Sequence, residues 1–149
     1  MSDIRFYHLT RRTAAQALPE LVDRAFAKGH KINVRCADAG VVAELDDQLW
    51  TFHPDAFLPH GSAKTGPAER QPIFLTHTND NPAGADVLMM MPGADTSGIE
   101  DYALCCVILN GQDEAGIAAA RLLWKAWKEA GHAITYWQQT EAGKWEQKA

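Results

Sequence analysis

Three cations and an indole share one short stretch of the chain. Arg121, Lys125 and Lys128 recur at i, i+4 and i+7, and Trp124 lies one turn from both Arg121 and Lys128. On an α-helix this spacing stacks the groups on one face. A guanidinium takes a carboxylate bidentately, an ammonium acts as a point charge and an indole supplies an apolar wall. The pattern therefore suits an acidic segment that ends in an apolar side chain or a free carboxylate. It equally suits a helix end whose cations complement the dipole while Trp124 and Trp127 pack in the core. Spacing alone leaves both readings open.

No catalytic arrangement accompanies this face. His53, His60 and His77, with Asp55, match no metal-ligand spacing, and a small enzyme built on this chain would have to use His60 with a carboxylate. The Asp46–Asp47 pair falls on the late turns of an amphipathic helix and reads as a solvated face. There is no Gly-x-Ser-x-Gly elbow to expose a nucleophile. Cys105 and Cys106 are adjacent within an apolar run, and the three cysteines read as small buried hydrophobes rather than a zinc site or disulfide framework. The turn after the first strand, His8 to Thr13, lacks the glycines that let backbone approach a pyrophosphate. Gly61 to Gly66 spells G-S-A-K-T-G but follows no expected strand and opens no helix. The expectation is a non-enzymatic protein with no metal and no cofactor.

The elements that must position these residues follow from periodicity. Ile4–Leu9 reads as a first strand, with Ile4, Phe6 and His8 on one face and Arg5 and Tyr7 on the other. Thr13 with Gln16 offers a capping box, yet Pro19 prefers a first helical turn, which predicts a helix beginning near Leu18. Leu18, Leu21, Val22, Ala25 and Phe26 form its stripe, and Gly29 stops it. Ile32, Val34 and Cys36 alternate with Asn33 and Arg35 as a second strand. A second helix follows, with Asp38 as N-cap and Val41, Val42, Leu45 and Leu49 as its buried stripe. The apolar runs Pro72–Thr76, Val87–Met91 and Tyr102–Leu109 suit strands covered on both faces, and Met89, Met90 and Met91 suit core filling. Asp113–Ala130 is a helix ended by Gly131, and His132–Gln139 is a last strand before a polar tail carrying Trp145. Strands alternating with helices predict an α/β fold: one Rossmann-like domain over 1–149, a layered sheet with helices on both faces and no nucleotide-binding fingerprint.

Composition narrows the setting. At 46% apolar and 22% charged, the 149 residues are those of an ordinary globular domain. A net charge of −5 argues against a general phosphate-binding surface, so a direct single-stranded nucleic-acid binder is the less favoured alternative and any basic function must be local. The start MSDIRFYHLT runs straight into strand-like alternation, and no run approaches the ~18 apolar residues of a membrane span, which predicts a cytoplasmic protein without membrane contact.

One stretch resists this reading. DDQLWTFHPDAFLPHGSAKTG, 46–66, places Trp50, Phe52 and Phe57 among breakers, in an expected loop over 50–70. Such rings can serve as rigid anchors for a partner, or Phe52 and Phe57 can fold back as lids on the sheet.

The strand IRFYHL, the helix end LDDQLW followed by DAFLPH, the strand QPIFLT and the terminal RLLWKAWKEAGHAITYW together resemble the chi subunit of the bacterial DNA polymerase III holoenzyme. The likeness runs in consistent order over nearly the whole chain, and the Leu-Trp…Phe-Leu-Pro-His element is its most specific part. It implies a Rossmann-like domain without nucleotide chemistry and a non-catalytic bridge in the clamp loader. It also implies two partners: the acidic C-terminal tail of single-stranded DNA-binding protein and, where it exists, the psi subunit. By position, Trp50 and Phe57 fall on the surface for psi, with Phe52 and Pro59 beside them, and Arg121 falls in the basic pocket for the tail. Trp124, Lys125 and Lys128 join that pocket by helical geometry.

Overall fold

The computed structural model describes residues 3–10, 12–51, 60–62, 71–142 and 144–148. Among these residues there are eight strands: β1 (Asp3–Leu9), β2 (Ile32–Arg35), β3 (His60–Ser62), β4 (Ile73–Thr76), β5 (Val87–Met90), β6 (Leu104–Asn110), β7 (Ala133–Gln139) and β8 (Trp145–Gln147). They form one sheet in the order β3-β4-β2-β5-β6-β1-β7-β8. β1 to β7 run parallel, and β8 returns antiparallel along β7. Helices α1 (Ala14–Ala27) and α2 (Ala39–Thr51) cover one face, and α3 (Glu114–Glu129) packs on the other against β6 and β7. This is the layered α/β sheet, with helices on both faces, that the pattern predicts. No helix among the described residues is long and apolar enough to cross a membrane.

The alternation in β1 decides which residues each layer receives. Ile4 and Phe6, both wholly buried, join the α3-side core with Leu88, Met90 and Cys105. Leu9 and the half-buried Tyr7 join the core under α1 and α2 with Val34, Leu75 and Met89. β4, β5 and β6 each have a neighbour on both sides, and their apolar runs are buried accordingly, Met89 to Met91 included.

Four expectations need correction. First, α1 begins at Ala14, not near Leu18, and Pro19 lies inside it. The capping box forms in full: the Gln16 N–H donates to Thr13 Oγ1 at 3.2 Å and the Thr13 N–H to Gln16 Oε1 at 3.0 Å. In addition the Ala14 N–H donates to Asn110 Oδ1 at 2.6 Å. Three orphan groups satisfied at once outweigh the one i→i−4 bond that an internal proline removes.

Second, β2 is buried on both faces, so Asn33 and Arg35 are as inaccessible as Ile32 and Val34. A buried charge is costly unless hydrogen-bonded, and here one nitrogen of Arg35, Nη1, makes both carbonyl bonds while the buried Arg35 Nε and Asn33 Oδ1 have no partner among the described residues. Arg35 Nη1 donates to the carbonyls of Asp95 and Ser97 at 2.9 and 2.7 Å, and Asn33 Nδ2 donates to the Asp80 carbonyl and Tyr102 Oη at 2.7 and 2.8 Å. These bonds tie the irregular segments 77–86 and 91–103 onto the sheet, on the face that α1 and α2 leave open.

Third, the strand expected over His132–Gln139 is not the last: Trp145, in the polar tail, starts β8 and its ring meets Tyr7 edge-on at 4.9 Å. Fourth, the stretch expected as a loop over 50–70 opens with the end of α2, which includes Trp50, and contains the edge strand β3.

Chain direction changes at one place in the sheet. The connection from β1 through α1 to β2 runs toward one edge, and that from β6 through α3 to β7 runs toward the other. The crevice between the carboxyl ends of β1 and β6 is thus the switch point where open α/β sheets take ligands. Here it is filled. Asn110 occupies the first N–H of α1, and a Cβ on Gly111 would strike the Leu9 carbonyl and approach His8 Nε2 to 2.9 Å, so only glycine fits.

Candidate functional site

The open concavity on the α3 side is built by period-2 and period-3.6 patterns meeting. Asp113 caps α3, its Oδ1 accepting the Gly116 N–H at 3.1 Å, and Gly131 at φ +92° lets the chain turn back into β7. Ile117, Ala120, Arg121 and Trp124 then form one wall of a cleft of about 470 Å³. Its floor comes from the sheet: His8 of β1, with Tyr136 and Gln138 of β7. β1 and β7 run side by side in parallel register, pairing Phe6 with Tyr136 and His8 with Gln138, which sets those floor groups in a row.

The two readings of Trp124 both hold. Its ring meets Phe6 at 5.7 Å and Tyr136 edge-on at 6.0 Å, so its inner part belongs to the core, while the residue remains half-buried and lines the cleft. Trp127, 6.0 Å from Phe6, is a core packer only. Lys128 Nζ lies 5.9 Å from the Trp124 ring centroid, a cation over an aromatic face. Arg121 is exposed at the rim. Lys125 is exposed on the same helix but does not line the cleft. The structure therefore brings Arg121 and Trp124 together in the cleft, sets Lys128 over the Trp124 ring but outside the cleft lining, and leaves Lys125 to one side.

Sequence reasoning missed the floor. His8 Nδ1 is 2.7 Å from Tyr136 Oη. Burial lowers the His8 imidazole below its usual range and the Arg121 charge lowers it further; burial raises the Tyr136 phenol, with Arg121 partly offsetting. The only advance signal was that His8 shares the face of Ile4 and Phe6.

The second candidate region is built differently. Trp50, in the last turn of α2, is 57% exposed and its ring centroid is 4.8 Å from that of His60. Beneath it, His60 Nε2 lies 3.1 Å from Asp46 Oδ1, and the His60 side chain is wholly inaccessible. Asp46 is thus partly covered rather than a freely solvated carboxylate, while Asp47 stays exposed. A histidine sealed in this way meets a carboxylate but no solvent-borne substrate. Phe52, Phe57 and Pro59, with His53 and Asp55, lie outside the described residues. Among the described residues no three of His, Cys, Asp and Glu converge as metal ligands. Cys36, Cys105 and Cys106 are buried, and burial pushes each thiol up to about 12.

Fold and site together define a Rossmann-like α/β domain whose nucleotide crevice is closed and whose open cleft is lined by Arg121, Trp124 and Tyr136. The chain belongs to the family described as DNA polymerase III chi subunit, HolC, whose model matches residues 1–135. This is a family of non-catalytic accessory subunits. The chain is 27% identical over 99 residues to the "Probable DNA polymerase III subunit chi" of Rickettsia prowazekii, covering 66% of this chain and 60% of that protein. It is 37% identical over 49 residues to the "DNA polymerase III subunit chi" of Pseudomonas aeruginosa, covering 33% and 34%. The matched stretches thus span less than two thirds of either relative.

Proposed function

We propose that this protein is a single-domain, cytoplasmic, non-catalytic accessory subunit of DNA polymerase III. In this reading it links the clamp loader to the acidic C-terminal tail of single-stranded DNA-binding protein during replication and meets DNA only through that partner. The observation that carries it is the α3 cleft. On a chain of net charge −5 it sets Arg121 beside the apolar surfaces of Trp124 and Ile117, with Lys128 over the Trp124 ring. That chemistry fits acidic residues followed by an apolar side chain and a free carboxylate, the guanidinium taking the carboxylate and the indole the apolar group. The Trp50 corner, with Phe52, Phe57 and Pro59 in the same stretch of sequence, is the side for psi or another clamp-loader component. An indole left 57% exposed is a ready anchor for a partner surface.

The test is a fluorescence-anisotropy titration of a labelled tail peptide at low and high salt, with an amidated peptide as control. Binding that weakens on amidation and with salt is expected. Indifference to both would place the tail elsewhere.

A further inference from the structure

We propose that His8 and Tyr136 form a proton-linked donor in the floor of the α3 cleft, so that an acidic, carboxylate-ended peptide is bound together with one proton. This rests on the tail-binding reading and adds how that site selects its ligand and responds to pH.

The geometry supplies the relay. His8 Nδ1 and Tyr136 Oη are 2.7 Å apart, and both residues line the cleft. While the imidazole is neutral with its proton on Nε2, Nδ1 has only a lone pair, so the phenol O–H must donate to it and turns inward. When a solvent proton enters Nδ1, that N–H donates to Tyr136 Oη instead. The phenol proton is then free to point into the cleft, where a ligand carboxylate can accept it. One proton is taken up, no covalent bond to the ligand forms, and the cleft gains one neutral donor and one positive charge. The Nε2 edge of the ring faces the backbone at Gly111, where a Cβ would come within 2.9 Å and only glycine leaves the imidazole its place.

The charged and titratable surroundings are few. α3 contributes the Arg121 guanidinium, β7 the Tyr136 phenol and the neutral Gln138, and the turn after β6 the backbone of Gly111. In the free protein burial, and then the Arg121 charge, lower the His8 pKa and favour the neutral imidazole. A peptide carboxylate beside Arg121 offsets that guanidinium and favours the imidazolium. The His8 pKa therefore rises on binding. By linkage, affinity is greatest below the free-state pKa and falls as pH rises through the pKa of the complex. The peptide's own carboxylates titrate near pH ~4, below this window.

The experiment is calorimetric titration of the full chain with the tail peptide at pH 6 and pH 8, at constant ionic strength and in buffers of differing ionisation enthalpy. It is paired with an NMR titration of the His8 Cε1–H signal with and without peptide. The wild type is expected to bind roughly threefold to tenfold more tightly at pH 6, with fractional proton uptake and a raised His8 pKa in the complex. His8→Gln and Tyr136→Phe, checked by thermal melting, are expected to lose most of that pH slope. Binding with no proton uptake, an unmoved His8 signal, or a His8→Gln variant that keeps the slope overturns the relay while leaving tail binding intact. No binding at either pH overturns both.

Discussion

The α3 cleft and the Trp50 corner each set a tryptophan beside titratable groups, but they are inside-out versions of one another. At the cleft the indole is anchored inward, against Phe6 and Tyr136, and the cations face solvent. At the corner the indole faces solvent and the titratable pair, His60 with Asp46, is covered beneath it. In the proposed function this difference sorts the ligands. An anchored aromatic surface beside exposed charge suits a polar, carboxylate-bearing peptide, and an exposed ring over a covered histidine suits an apolar protein surface.

That contrast can be broken most directly by charge reversal. Arg121→Glu is expected to weaken tail-peptide binding by more than about a hundredfold, and Arg121→Ala by roughly tenfold to a hundredfold, since losing a charged hydrogen-bond partner costs about 1.5–3 kcal/mol. Anisotropy decides it, and equal binding by wild type and Arg121→Glu would reduce this helix to a solvated face. Tryptophan replacement sharpens the contrast. Trp124→Ala should destabilise the fold by about 2–3 kcal/mol, because a ring packed on Phe6 leaves a cavity, whereas Trp50→Ala should stay within about 1 kcal/mol in denaturant melts. Trp50→Ala should also lose clamp-loader capture while keeping tail affinity. A cooperative transition lost in Trp50→Ala would show that this ring is core. The smallest effects distinguish the lysines: Lys128→Ala should cost a few-fold in tail affinity and Lys125→Ala less than about twofold, as only the former sits over the Trp124 ring. A larger effect at Lys125 would extend the binding surface beyond the cleft.

What was legible follows from where the physical signal lies. The α3 face was readable because 3.6-residue periodicity fixes which side chains share a surface, and β4 to β6 because strands covered on both sides are written as continuous apolar runs. β3 was not. It is three residues, His60-Gly61-Ser62, and owes its place to pairing with β4 rather than to its own composition. β8 likewise exists only through β7. The cleft floor needed the pairing of His8 with Tyr136, 128 residues apart, which no local pattern encodes. Arg35 looked like the polar member of an alternating strand because the carbonyls that accept from it come from a segment with no periodicity at all.

Those carbonyls have a consequence for acid tolerance. Most cations that brace a fold do so through carboxylates. Asp86 is one such partner here: burial works to raise its carboxyl, but His30, 2.6 Å away, and the Lys31 N–H outweigh it and hold the carboxyl below its usual range. That contribution is present above the unfolded carboxylate pKa and is lost as pH falls through the depressed one. The Arg35 hydrogen bonds themselves do not titrate, because the main-chain oxygens of Asp95 and Ser97 have no proton to gain, whereas the Asp95 carboxyl beside them, held below its usual range by its hydrogen bonds with Ser97 and by the Arg35 charge, does. On acidification the His30–Asp86 contact should therefore loosen, and the Asp95–Ser97 turn with it, while the main-chain oxygens that accept from Arg35 keep their bonds, so amide protection in β2 should outlast that around Asp86.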